Sequence, residues 1–302
     1  MNSFEKAKNF IYRNARPVDL ARWKFHFENG SIDDVVHAIS FYQNDDGGFA
    51  YAIEPDNWNI NSTPISTWAA TTILREIGFA DSSHPIIKNI LKYLDSGKDF
   101  SDGKWYNVVA SNNDYPHAVW WGCDKDGKPD DNPTVSLSGF VLKFADKESS
   151  LYNRAANIAA HSVKKFVKAP CSESHTLRCY AELLSYCEEI ENFDLFDIEM
   201  FRQILSEQIN RTICSEPEKW FKEYVCKPSY FYEFNNIIHN GISMDILEKE
   251  AVEIVKNQSP DGSFPVTWMW YNDYKEFEIA ANWWKSDIII KNMIILRDFG
   301  KI

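Results

Sequence analysis

One short pattern constrains this chain more than any other: a glutamine, an Asp-Gly turn and an aromatic residue, arriving at the end of an amphipathic stretch. It occurs as QNDDGGF from Gln43 and as NQSPDGSF, whose glutamine is Gln258. A weaker relative, SDGKWY from Ser101, keeps the turn and the aromatic but loses the glutamine. A self-similar turn at a fixed period marks an architecture of stacked, repeated units. Phe49 and Trp105 stand about 55 residues apart, and Phe49 and Phe264 about four such intervals, a length that suits a two-helix unit with its loop.

The flanking segments read as helices. IDDVVHAISFY before Gln43 places Val35, Val36, Ile39 and Tyr42 on one stripe at helical spacing. EKEAVEIVKN before Gln258 does the same with Ala251, Ile254 and Val255. Thr63-Pro64 supplies a cap and a first-turn proline for PISTWAATTILREIG, and Asn132-Pro133 opens TVSLSGFVLKFAD similarly. Further helices are expected over 83–97, 150–168, 173–190, 194–213 and 284–298. Alternating runs of β-branched residues are scarce, so little sheet is expected. Residues 1–302 read as a single all-α domain. At each turn the glutamine amide would satisfy backbone groups of a neighbouring helix. The glycines would adopt the left-handed conformation that stops the preceding helix.

QNDDGGF and NQSPDGSF resemble the glutamine–glycine–aromatic repeat of squalene/hopene cyclases, which is echoed in protein-prenyltransferase β subunits. That resemblance implies an α/α toroid of about six helical hairpins around a central cavity. The cyclases' Asp-x-Asp-Asp-Thr acid signature has no full counterpart: KPDDNPT lacks the leading aspartate, and Asn132-Pro133 separates its acid pair from Thr134. The prenyltransferase zinc ligands are not matched either. One architecture hosts unrelated chemistries, so the repeat speaks for fold more than for activity.

Composition narrows the partners. Forty-four acidic against 32 basic residues give a formal net charge of −12, which repels nucleic-acid phosphates and anionic membrane surfaces. The charged start MNSFEKAKNFIYRNARP lacks a signal-peptide core, and no run approaches the ~20 apolar residues of a spanning helix. Six dispersed cysteines suit a reduced, cytoplasmic protein. Aromatic residues make up 15% of the chain, a surplus that must pack a core or line a site.

Each Asp-Gly-aromatic turn is followed by a long aromatic segment, at 50–62, 106–132 and 265–284. Loops of that length in a compact domain are functional more often than idle, and equivalent loops of a repeat protein emerge on one face. Trp58, Trp105, Trp120, Trp121, Trp268, Trp270, Trp283 and Trp284 are therefore expected around one mouth. Trp68 and Tyr271 complete the aromatic ligand-binding set, although any single tryptophan packs more often than it binds. The candidate catalytic groups are Glu54, Asp56, His117 and Asp130, because paired carboxylates in an apolar site can divide into an acid and a base. For Asp130 and Asp131 the competing reading is a helix cap. Cys171, His175 and Cys179 share a helical face, but a core role outweighs a metal site, and His175 with Arg178 would line the cavity if their helix is an inner one. DKDGKPDDN lacks the final glutamate of a calcium loop. No metal or cofactor is expected. An isoprenoid-like ligand in an aromatic cavity, a carbohydrate-active enzyme with paired carboxylates, and a non-catalytic scaffold all remain open.

Overall fold

Capping chemistry decides where the helices begin. In the computed structural model, which describes residues 2–123, 126–236 and 241–302, side-chain oxygens of Asn2, Ser31, Thr63, Ser149, Glu173 and Asp197 accept backbone N–H bonds at six helix starts. Each removes a donor that the helix cannot satisfy internally. The described helices are α1 (Ser3–Asn14), α2 (Pro17–Phe27), α3 (Ile32–Ser40), α4 (Pro64–Glu76), α5 (Pro85–Asp95), α6 (Asp131–Phe144), α7 (Ser150–Lys168), α8 (Ser174–Glu188), α9 (Ile198–Thr212), α10 (Met244–Asn257) and α11 (Phe277–Asp298). A 3₁₀ stretch spans Pro228–Phe234. None of the described helices is long and apolar enough to cross a membrane.

Two kinds of helix alternate along the chain. α1, α3, α5, α7, α9 and α10 bury a single stripe; α5, for example, buries Ile86, Ile87, Ile90, Tyr93 and Leu94. α6 and α8 are buried on every side, the latter from Leu177 through Cys187 without a break. α2, α4 and α11 bury polar groups as well, including Asp19, Arg22, Thr67, Thr71, Ser286 and Asp287. An all-round buried helix needs neighbours on both sides, whereas a striped one needs a neighbour on one side.

The buried set makes a continuous succession of contacts. Arg22 of α2 reaches Glu76 of α4 at 2.6 Å, α4 packs on α6, and α6 packs on α8. Arg178 of α8 pairs with Glu233 of the 3₁₀ stretch, whose Tyr232 hydroxyl donates to Asp298 of α11 at 3.2 Å. Asp287 of α11 then returns to Arg22 at 2.8 Å. α1 also packs on α11, so the two ends of the chain meet.

The two full turns work as clamps, in matching geometry. The Gln43 amide donates to Gly47 O at 2.9 Å and to Ile86 O of α5 at 3.2 Å. The Gln258 amide donates to Gly262 O at 3.1 Å and to Ser3 O of α1 at 2.9 Å. Gly47 and Gly262 both have φ +96°, and a Cβ there would stand 2.0 Å from Asn89 O and 2.1 Å from Lys6 O. Only glycine fits such a conformation at such an approach. Phe49 and Phe264 fold back into the core.

The third turn corrects the expectation. SDGKWY is not a clamp but the tip of a small antiparallel sheet, β1 (Phe100–Ser101), β2 (Lys104–Val108) and β3 (Lys128–Pro129). Asp102 and Gly103 take φ +51° and +74°, the paired left-handed residues of a tight hairpin turn. Without a glutamine there is nothing to dock the turn on a neighbouring helix, and the strands pair instead. α1 and α2, which the sequence pattern did not single out, are also regular helices. α11 starts earlier than expected, at Phe277, and carries Trp283 and Trp284 on a helix.

Candidate functional site

The site is assembled at the amino-terminal ends of the buried helices. The 50–62 segment precedes α4, the 106–132 segment precedes α6, and the 265–276 segment precedes α11. Arg16 is the residue before α2, and His175 is in the first turn of α8. Segments 50–62, 106–132 and 265–276 are joined by main-chain bonds: Trp58 N donates to Pro116 O at 3.0 Å, Ala118 N to Asp56 O at 2.9 Å, and Val119 N to Trp270 O at 3.2 Å. The Asn272 amide donates to His117 O at 2.7 Å. A buried asparagine group fixes the same region, with Asn57 and Asn59 both donating to Asn112 Oδ1 and Asn112 donating to Trp121 O.

Glu54 and Asp56 stand side by side here in different states. Asp56 accepts three indole N–H bonds, from Trp270 at 2.7 Å and Trp284 at 2.8 Å on Oδ1, and from Trp268 at 3.1 Å on Oδ2. Burial raises its carboxyl above the usual aspartate range, and the three indoles oppose that rise. Glu54 is 7% exposed, and its Oε2 has no hydrogen-bond partner. Burial, then the neighbouring Asp56 charge, push its carboxyl well above the usual range. The Asp56 backbone N–H and the Trp121 indole oppose the shift. Trp121 Nε1 is itself buried without a partner, a donor facing the carboxyl but not committed to it.

The loop conformation behind Glu54 is held from α2. Tyr51 and Ala52 both lie in the left-handed region, at φ +58° and +56°, which costs a non-glycine residue about 1–2 kcal/mol each. The Arg16 guanidinium offsets this by donating to Ala52 O at 2.6 Å and Ile53 O at 3.3 Å while pairing with Asp19 at 2.7 Å. It also lies 5.6 Å from the centre of the Trp283 ring, which in turn stacks on Trp58 at 5.1 Å. Nothing in the sequence around Arg16 signals this role. The contact spans too many residues for any local pattern to reveal it.

The other expected residues divide. Trp121, Trp268, Trp270 and Trp284 face the two carboxyls, and Trp58 joins them indirectly, meeting Trp270 edge-on at 6.5 Å and stacking on Trp283. Tyr271, at φ +56°, lines an open cavity of about 480 Å³ with Trp270, Tyr274 and Phe277, whereas Trp120 is 39% exposed and does not line it. His117 donates from Nδ1 to Tyr115 O at 2.6 Å and packs near Tyr274, so it braces the loop beside Trp270. Trp105 does not join the mouth: it is fully buried against Phe100, because β2 turns it into the main core. Asp130 is exposed and accepts from Asp131 N at 2.6 Å as the cap of α6, while Asp131 pairs with Lys104 and Lys165. That is the capping alternative, and no contact brings Asp130 to Glu54.

Trp68 leads deeper. Its indole donates to Glu182 Oε2 at 2.7 Å, as does Ser136 Oγ at 2.5 Å. Glu182 pairs with Arg178 at 3.1 Å, and Arg75 and Arg178 share Glu233. Those two arginines hold the Glu233 carboxyl down at about 2 despite burial. His175 sits between two phenols, with Nε2 2.7 Å from Tyr224 Oη and Nδ1 3.0 Å from Tyr230 Oη. The Tyr224 ring meets Trp268 edge-on at 5.8 Å, which ties His175 to the Asp56 cage. Cys179 is buried in the core and Cys171 packs against it, in keeping with a core role for that helical face. All six cysteines are free, and among the described residues no group of three or more His, Cys, Asp or Glu could hold a metal ion. The DKDGK stretch includes two positions, 124 and 125, outside the described residues.

Comparison of the chain with protein-family models, with curated proteins and with solved structures finds no match.

Proposed function

We propose that this chain is a six-hairpin α/α toroid whose mouth carries out general-acid chemistry on an uncharged, apolar, isoprenoid-like ligand. The alternation of striped and buried helices supports the ring, as does the return of α11 to α2. The 3₁₀ stretch Pro228–Phe234 takes the place of one inner helix. A reducing compartment such as the cytoplasm suits the free thiols.

The observation that carries the chemistry is the contrast between the two carboxyls. Glu54 is buried, raised well above its usual range and free at Oε2, which favours the protonated form that a general acid needs. When the proton leaves, the uncommitted Trp121 N–H is placed to bond the new carboxylate, a donor aimed at charge that develops only during reaction. Cation generated on the ligand meets indole faces, whose quadrupoles attract positive charge. A carboxylate at Asp56 beside the acid disfavours a diphosphate, which favours an uncharged alcohol, epoxide or alkene. Two-carboxylate sugar hydrolysis fits less well, because three indole N–H bonds stabilise the Asp56 carboxylate and weaken it as a nucleophile or base.

The test is a thermal-shift screen of the purified chain against polyprenols, terpene epoxides, prenyl diphosphates and oligosaccharides, followed by product analysis. Uncharged isoprenoids should raise the melting temperature and turn over. Glu54→Gln should keep the shift and lose turnover by about a hundredfold or more. Stabilisation by oligosaccharides alone, or full turnover by Glu54→Gln, would sink the proposal.

A further inference from the structure

The segment 214–226 leaves the end of α9 and returns beside its own start. Cys214 N donates to Cys226 O at 2.8 Å, so two cysteines form the neck of a loop. A main-chain bond of this kind sets two Cα atoms about 5.5 Å apart, inside the range of about 4.4–6.8 Å that a disulfide spans. Both thiols are free and partly exposed. The Cys214 thiol makes only a 3.8 Å contact with Glu216 O, too weak a bond to hold it away from its neighbour. The loop beyond the neck is seated on one side and open on the other. Trp220 and Phe221 are buried in the core shared by α1, α10 and α11, and the Trp220 indole donates to Cys214 O at 2.8 Å. Lys222, Glu223 and Tyr224 are exposed, and the Tyr224 ring lies against Trp268 of the Asp56 cage.

We propose that Cys214 and Cys226 are a reversible redox-modification site, which a small-molecule disulfide such as oxidised glutathione converts to a bridge across the neck of the Tyr224 loop. The site stands apart from the chemistry of Glu54 and does not depend on it. In the first step the Cys214 thiolate attacks one sulfur of the oxidant, the S–S bond of the oxidant breaks and one glutathione thiolate leaves. In the second the Cys226 thiolate attacks Cys214 Sγ of the mixed disulfide, and the other glutathione thiolate leaves. Two protein thiols are oxidised and one disulfide is reduced. The two protons given up by the cysteines go to the two released thiolates.

The order of the steps follows from burial. Burial first, and then the charges of Glu250 and Cys214, push the Cys226 thiol up to about 12. A thiol held protonated in this way is a poor nucleophile toward a dissolved oxidant, so Cys214 attacks first. Cys226 acts second, when the neck already holds the two residues together and an intramolecular reaction proceeds with little thiolate. The bridge removes chain freedom from the unfolded state, which raises stability. In the folded state it closes the neck covalently, and the exposed stretch that carries Tyr224 is held against Trp268.

The test equilibrates the full-length chain in glutathione buffers of decreasing reducing strength, traps free thiols by alkylation and cuts the protein with trypsin. Cleavage after Lys219 and Lys222 places the two cysteines in different peptides, so a bridge shows as one joined mass that dithiothreitol separates. The joined peptide should form in the folded protein, with a melting temperature about 5 °C higher and slower amide hydrogen exchange across residues 215–225. Cys226→Ser should stop at a glutathione adduct on Cys214, whereas Cys214→Ser should give neither a bridge nor a ready adduct on Cys226. Absence of the joined peptide, or its formation only in denaturant, overturns the site. An adduct on Cys226 in Cys214→Ser that forms as fast as the Cys214 adduct overturns the order of attack. Unchanged exchange across 215–225 in the bridged protein overturns the restraint on the Tyr224 loop.

Discussion

At the scale of single residues, Glu54 and Asp56 are two positions apart and differ in their partners: Asp56 takes three indole bonds, whereas Glu54 Oε2 has none. The Glu54 carboxyl is raised in the folded chain, so the fold holds its proton more tightly than the unfolded chain does. Below the ordinary glutamate range both states are protonated and the group contributes nothing. As pH climbs through that range toward the folded value, the unfolded chain releases the proton first and stability falls. Glu54→Gln should therefore raise the melting temperature at pH 7, and the gain should vanish near pH 4; a loss of stability at pH 7 would contradict the raised carboxyl. Asp56→Asn should do the reverse, costing about 3 kcal/mol by denaturant titration, since one amide oxygen cannot replace a carboxylate that takes three indole N–H bonds. The sequence made both acids visible, because nothing in AYAIEPDNWNINS needed them for a cap. It could not tell them apart. Which one is free depends on Trp268, Trp270 and Trp284, more than 200 residues away.

Elements show a different balance. The clamp turns were readable because their geometry is local: a glutamine, three residues and a glycine at φ +96°. What each clamp grips was not, since Ile86 and Ser3 carry no mark in the sequence. Gly47→Ala and Gly262→Ala place a methyl about 2 Å from a helix carbonyl and should each cost on the order of 3 kcal/mol or more. Gly78→Ala, also at positive φ but facing open space, should cost only about 1 kcal/mol, the backbone strain alone. Equal costs at the three positions, measured by urea unfolding, would remove the clamp interpretation. SDGKWY shows the limit of reading by motif. Asp-Gly flanked by aromatics serves a helix stop or a strand hairpin equally well, and the missing glutamine was the informative difference.

For the whole molecule, the meeting of the chain ends is the decisive feature. α1 supplies Ala7, Phe10 and Ile11 to a core shared with α10 and α11, and Arg22 links Asp19, Glu76 and Asp287 across three helices. A buried hub of that kind fails as a unit when one partner is lost. Calorimetry of the full chain should show one transition, with calorimetric and van't Hoff enthalpies in agreement. Deleting residues 1–14 should lower the melting temperature by about 10 °C or more, because the last clamp loses its helix and the second core its apolar stripe. Two separate transitions in the intact chain would show that residues 1–302 are not a single cooperative domain.

The sequence by itself determined the helical character, the two glutamine clamps and the concentration of aromatic residues after the turns, because each follows from spacing within a few residues. It also made Glu54 and Asp56 the leading acids. Tertiary structure alone decided that Trp105 belongs to the core and that Asp130 is a cap. The same holds for Arg16, which holds the strained loop, and for Tyr224, which meets His175 beside the aromatic cage. Those facts depend on which distant surfaces pack together. A carboxyl's proton, like a tryptophan's role, is set by what surrounds it once they do.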